Sequence, residues 1–329
     1  MNTIITERLI QSIKKSLPDN IQIVSYITDL LSMSRQAAYR RMNGEVPFTL
    51  DEVVTIADDL KLSLDRILER KDTKRAVFNL NLIDYNDPME NYYKILKGYI
   101  DIFETMAKNA DASINSAFNI IPYSFSLNYD HISKFLLYKW LCISKVGSKN
   151  IPYSQFGIPT KIKNIQQKHF HTIRLNIDST FILDKNVFTS FAGDVMYFYQ
   201  LQLLNDEEKD QLRKELLKLV AYIEELTSSG KNNTGSKVSI YISNINLDTS
   251  YTLYKSGDFE MAHFRIFSIN AIESRNQLIC RIQKEWLESL RDHSTLITQS
   301  SYLQRSLFFA EQYERINKIF ESEIVSSIY

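Results

Sequence analysis

Apolar residues recur at the helical period through most of this chain, and strict apolar–polar alternation replaces that period in only a few stretches. In residues 4–16, Ile5, Leu9, Ile10 and Ile13 form one stripe, and "LPDN" ends it. A second helix is expected over 21–31, with Ile23, Ile27, Leu30 and Leu31 turned inward. Ser34 is placed to cap a third helix and Gly44 to end it in a left-handed turn, with Pro47 following. "TLDE" at 49–52 has the form of a capping box, Thr49 as cap and Glu52 as its partner, opening a fourth helix that runs to Leu60. Ser63 caps a short fifth, "LDRILE". The second and third helices are separated only by a tight turn at 32–34, and so short a turn sets two helices at a steep angle.

Beyond residue 70 the pattern changes. "ERKDTKRAVFNLNLIDYNDP" alternates charges and then becomes apolar, so 71–87 reads as a linker. Met89, Tyr92, Leu96, Tyr99, Phe103, Met106 and Ala110 then follow the alternating three- and four-residue spacing of a heptad seam. Such a seam serves either a dimerisation helix or a core helix, and Tyr93, Ile95, Ile100 and Ile102 widen its apolar face toward the second use. "DEEKDQLRKELLKLVAYIEEL" repeats the pattern at Leu212, Leu216, Leu219, Ile223 and Leu226, offering the first helix a partner within or between chains. "TIRLNID", "KVSIYIS" and "SYTLY" alternate as half-buried strands do. "AIESRNQLICRIQKEWLESLRD" and "SYLQRSLFFAEQYERINKIF" read as amphipathic helices, with Ile279, Ile282, Trp286 and Leu290 inward on the first. Segments 118–128 and 187–204 fit strand or helix equally. The expected fold is an all-α N-terminal domain of five short helices followed by a larger α+β domain with long amphipathic helices.

Charge and composition narrow the function without naming it. The 39 basic and 39 acidic residues cancel, so any case for nucleic acid rests on local charge. Cys142 and Cys280 lie far apart, outside any metal-ligand spacing, which suits a reducing compartment. No apolar run approaches the ~18 residues of a membrane helix. The start has no apolar signal-peptide core, so a soluble, cytoplasmic protein without a membrane partner is expected.

Catalytic constellations are missing from the pattern. "GKNNTGSK" at 230–237 has its last Lys and Ser in the wrong order for a phosphate-binding loop, and it runs from helix to strand, so it reads as a flexible loop. His169 and His171 would share a face if they lay on a strand, but no Cys or carboxylate is near to complete a metal site. No enzyme, cofactor or metal is expected. From His131 to Ile177 there is no acid, while Lys134, Lys139, Lys145, Lys149, Lys161, Lys163, Lys168 and Arg174 are basic. That block is either a second anion-binding surface or a set of lysines paired with acids near in space, such as those of 206–225; the second is the simpler expectation.

The order of caps and stops in residues 4–69 carries more. "MSRQAAYRRMNGEVPFTLDEVVTIADDLKLSLDRI", with its Ser34 cap, Asn43-Gly44 stop and two capped helices behind, resembles the phage-repressor and Cro-like (XRE-type) helix-turn-helix domain. The resemblance implies a transcriptional regulator whose third helix, 34–43, enters the major groove of double-stranded DNA. By that resemblance Arg35, Gln36 and Arg40 contact base edges, and Gln22, Ser25, Tyr39, Arg41 and Asn43 contact the backbone. Arg41 sits where such domains commonly have a core residue, a role that Met42 takes. Residues 1–70 are slightly acidic overall, but 30–44 hold three Arg and no acid, the segregation that a one-faced binder needs. The domains are then 1–70 for DNA, 71–87 as linker and 88–329 for homodimerisation, with room for an unspecified effector or protein partner. The competing reading is an interaction or scaffold protein that uses the same helices to dock protein.

Overall fold

The computed structural model describes residues 2–18, 21–60, 62, 64, 67, 76–83, 86–144, 151–300 and 302–322. The chain divides into two compact units, residues 1–77 and 78–329.

Among the described residues the regular elements of the first unit are all helices. Helix α1 (Asn2–Ser16), α2 (Ile23–Leu30), α3 (Arg35–Met42) and α4 (Leu50–Asp59) follow one another. Their apolar stripes converge on one core of Leu9, Ile13, Ile27, Ala38, Ile56 and Ile67, with Met42, Phe48 and Val53 packed around it. The fifth helix expected over 64–69 lies outside the described residues except for Leu64 and Ile67, which are helical, Ile67 being buried. The Tyr26 hydroxyl donates to Asp59 Oδ2 at 2.7 Å, tying α2 to α4.

The second unit is α+β, built on a mixed sheet of eight described strands. In chain order its elements are β1 (Asn79–Asn81), α5 (Pro88–Met106), β2 (Ser113–Phe118), α6 (Tyr123–Ser126), α7 (Asp130–Ile143), α8 (Thr160–Thr172) and β3 (Asp178–Asp184). Helices α9 (Val187–Gln200) and α10 (Asp206–Ser229), strands β4 (Val238–Ser243), β5 (Tyr251–Ser256), β6 (Phe259–Phe267) and β7 (Asn270–Ser274), helix α11 (Gln277–Asp292), β8 (Ser294–Leu296) and α12 (Tyr302–Glu321) follow. The strand order is β1-β7-β6-β5-β2-β3-β4-β8. β2, β3 and β4 run parallel to one another, and every other pairing is antiparallel. Alternation along β3 sends Phe181 and Leu183 to one face and Ile182 to the other. Helix α11 covers the Ile182 face with Cys280, Leu287 and Leu290. The remaining long helices cover the opposite face in three contiguous clusters.

The local signals for the long helices are plain. Asp87 caps α5 by accepting from the Glu90 amide at 3.1 Å, and Pro88 occupies its first turn. Asn205 and Glu208 close a capping box on α10, both bonds 2.9 Å, and Gly230 at φ +68° ends it.

Several expectations are corrected. The α5 seam is consumed inside the unit: Tyr92, Leu96, Phe103 and Met106 are buried against α8 and the sheet, so this is a core helix. The α10 seam is buried likewise, against α7, α9 and α12 and not against α5. "TIRLNID" is the end of α8 and a turn, and the strand begins only at Asp178. The helix read from Ala271 starts at Gln277, because 270–274 forms β7. On α11 the inward residues are Cys280, Gln283, Leu287 and Leu290, while Ile282 and Trp286 are about half exposed. The apolar half of the linker, at Asn79–Asn81, pairs with β7 as the edge strand of the second unit. Segment 187–204 is helical through Gln200, and 118–128 holds the end of β2 and the short α6.

Candidate nucleic-acid interface

Helices α2 and α3 are joined by Leu31, Ser32 and Met33, with Ser32 in the left-handed region at φ +50°. That conformation reverses the chain within one residue, at a cost that a non-glycine bears. Ser34 Oγ then accepts from the Ala37 amide at 3.2 Å and starts α3. Gly44, at φ +74°, closes the far end, and the Glu45 amide donates to the Arg40 carbonyl at 2.9 Å. These are the cap and the stop expected from the sequence.

Between them α3 has two faces. Ala38 is fully buried and Met42 packs against the core. Arg35, Gln36, Tyr39, Arg40 and Asn43 are exposed. At ~100° per residue those five occupy one arc of roughly 140°, and Ala38 and Met42 fall outside it. The three residues assigned to base edges therefore share one solvent-facing surface, with Tyr39 and Asn43 among them.

The three arginines have different surroundings. No ion pair involves Arg35 among the described residues. Arg40 lies 3.5 Å from Glu45 in a well-exposed pair. Arg41, expected to meet a phosphate, instead turns to the domain: its Nε donates to Glu52 Oε2 at 2.8 Å and its second nitrogen lies 2.8 Å from Oε1. Glu52 is also the capping-box residue, accepting from the Thr49 amide at 2.9 Å while Thr49 Oγ1 accepts from the Glu52 amide at 3.2 Å. Burial pushes the Glu52 carboxyl up, but the bonds from Arg41 and Thr49 outweigh it and hold the group below its ordinary value. The guanidinium thus joins the end of α3 to the start of α4, which explains an arginine where a core residue is common. Of the remaining backbone candidates, Gln22 is exposed at the start of α2 with no side-chain cap bond, and Ser25 is half-buried one turn in.

Glu45 is the neighbour of Arg40 that spacing did not reveal. It is five residues from Arg40, which is not a same-face distance on a helix, and the left-handed turn at Gly44 brings it back.

The other candidate features do not assemble into a site. His169 and His171 lie on α8, not on a strand, so the first is buried and the second exposed. Three of the five described lysines of the basic block are paired with acids, and those acids lie outside 206–225. Lys161 meets Glu90 at 2.7 Å, Lys168 meets Glu104 at 3.0 Å, and Lys139 bonds Asp194. Lys145 and Lys149 lie outside the described residues. The 230–237 loop is built rather than loose: Asn232, Thr234 and Ser236 all donate to the Arg174 carbonyl. Among the described residues, no helix is long and apolar enough to cross a membrane.

A helix-turn-helix with a polar, partly basic face on its second helix is a nucleic-acid-binding class of domain. Residues 1–87 match the family described as the BetR domain. The match supports a DNA-binding, regulatory helix-turn-helix segment at the N-terminus. No curated protein and no solved structure matches the chain.

Proposed function

We propose that the protein is a sequence-specific transcriptional regulator, not an enzyme, and that α3 reads the major groove in the manner of phage-repressor and Cro-like domains. One observation carries the reading: α3 presents Arg35, Gln36 and Arg40 together on its exposed arc, while the third arginine, Arg41, is held by Glu52. A guanidinium paired bidentately with guanine and a carboxamide with adenine give those residue types a purpose on such a face. Tyr39, Asn43, Gln22 and Ser25 are the phosphate-contacting set in this reading.

A single helix-turn-helix reads few bases, so we further propose a homodimer whose two α3 helices lie ~34 Å apart on one face of the duplex. The seams of α5 and α10 are already covered within the chain, and the surface we assign to the second copy is the outer stripe of α11. There Leu278, Ile282 and Trp286 stand one turn apart and exposed.

The alternative, a protein-docking domain, draws on Leu50, which is 75% exposed at the start of α4. Selection of bound sequences from a random duplex pool separates the two. Enrichment of one motif by the wild type, lost with Arg35→Ala, supports the regulator; no enrichment at moderate salt removes it.

A further inference from the structure

The second unit contains a crevice of ≈ 480 Å³ outside the carboxyl ends of the parallel strands β2 and β3. Ligands of open sheets with parallel strands bind in that place, and the volume is within the ~300–1,000 Å³ of small-molecule sites. Behind it lies a second cavity of ≈ 100 Å³, between α5, α8 and strands β2, β5 and β6. The two share four lining residues, Ile120, Tyr123, Arg265 and Ile269, so they meet at one guanidinium.

The chemistry of that junction is specific. The crevice is lined by four charged residues: Lys139 and Asp194 pair with each other, and Asp248 is exposed at the rim. Arg265 forms no ion pair among the described residues; its partner is Tyr123, with which it shares a side-chain hydrogen bond and whose ring centroid lies 5.8 Å from the guanidinium. A half-buried cation without a counter-charge is costly to a fold unless something else supplies the charge. His263, two residues before Arg265 on β6, is held neutral by burial and by the nearby guanidinium charge, with a pKa lowered to about 4.

The inner cavity has the complementary character. Leu96, Phe103 and Ile114 make it apolar. Yet eight buried side-chain polar atoms lack a hydrogen-bond partner among the described residues, and four of them belong to residues lining this cavity: Ser116 Oγ, Ser124 Oγ, His169 Nδ1 and His263 Nδ1. Buried polar atoms are ordinarily satisfied, so their concentration in one apolar chamber marks a ligand chamber.

We propose that crevice and cavity form one binding site for a small monocarboxylic acid, with its carboxylate on Arg265 beside Tyr123 and its apolar body in the inner chamber. Guanidinium and carboxylate match in charge and in their paired donor and acceptor geometry. The histidine and serine atoms favour a body bearing one further hydroxyl or carbonyl. The site belongs to the second unit alone and does not depend on what the N-terminal domain binds.

The test uses the full chain titrated with phenylacetate, 4-hydroxyphenylacetate, hexanoate and 4-methyl-2-oxopentanoate, each beside its primary amide. Binding is followed by the unfolding temperature and by fluorescence of Trp140, which lines the crevice. We expect at least one acid to bind saturably and at least tenfold more tightly than its amide. Arg265→Met abolishes that binding without lowering the unfolding temperature of the ligand-free protein. Equal binding of acid and amide, binding undiminished in Arg265→Met, or no saturable binding by any acid at millimolar concentration overturns the proposal.

Discussion

Arg35, Arg40 and Arg41 lie within seven residues of one another and have three different fates, each decided by what surrounds the guanidinium. Arg41 is fixed by both oxygens of Glu52, Arg40 shares its charge with an exposed Glu45, and Arg35 has no ion-pair partner among the described residues. Substitution should therefore separate them. Arg35→Ala and Arg40→Ala are expected to weaken binding to a selected site by ~1–3 kcal/mol and leave the unfolding temperature unchanged. Arg41→Ala is expected to do the reverse, destabilising the N-terminal domain by about 1 kcal/mol, the upper end for such a pair. Titration against a labelled duplex, with a thermal melt of each variant, checks both; a melting temperature unaltered in Arg41→Ala would refute its assigned role. Ser32 gives a second prediction at this scale. Glycine adopts φ +50° without the Cβ conflict, so Ser32→Gly is expected to raise stability, by up to ~1 kcal/mol in a urea titration.

At the scale of elements, the amphipathic helices divide by which side of the apolar stripe finds a partner. The α5 seam faces α8 and the sheet, so Leu96→Ala leaves a cavity in the core and is expected to cost ~2–5 kcal/mol of stability. On α11 the inner stripe is buried and the outer one, Leu278, Ile282 and Trp286, is not. Ile282→Glu with Trp286→Glu is expected to convert a dimer to a monomer in light scattering while the unfolding temperature holds. A dimer mass unchanged in that double variant would count against the assigned interface. The sequence displayed both helices as amphipathic, and it exposed the heptad spacing of α5 clearly. It could not tell a core seam from a dimer seam, because both need the same apolar period and differ only in what is brought alongside. On α11 the width of the apolar arc misled: Ile282 and Trp286 are apolar enough to read as inward, and packing selected the neighbouring stripe through Cys280 and Leu287.

For the whole molecule, the buried imidazoles set a pH dependence. His169 and His263 both have pKa values lowered to about 4, chiefly by burial and further by the charges of Arg174 and Arg265. Unfolded, each would bind its proton near pH ~6.5. Between those values the unfolded chain binds more protons, so the contribution of neutral, buried histidine is complete above pH ~6.5 and is lost as pH falls toward 4. Glu273, raised by burial, works in the opposite sense. The informative quantity is thus a difference: the fall in unfolding temperature from pH 7 to pH 5 is expected to be smaller in His169→Phe than in the wild type.

What the sequence determined by itself was the first unit and the polar face of α3 upon it. Ser34, Gly44 and the Thr49–Glu52 box act through bonds to residues at most a few positions away, so their meaning is local and legible in the chain. The exposed arc of α3 follows from the same helical period. The α+β character of the second unit was legible too, as alternation in "KVSIYIS" and "SYTLY". Only the tertiary structure decided the rest. It moved the strand from "TIRLNID" to Asp178–Asp184, made an edge strand of the linker, drew Arg41 to Glu52, and gathered Tyr123, His169 and the β6 pair His263 and Arg265 from three separate segments around one space. Those outcomes depend on groups distant in sequence sharing a desolvated environment, and no local period carries that information.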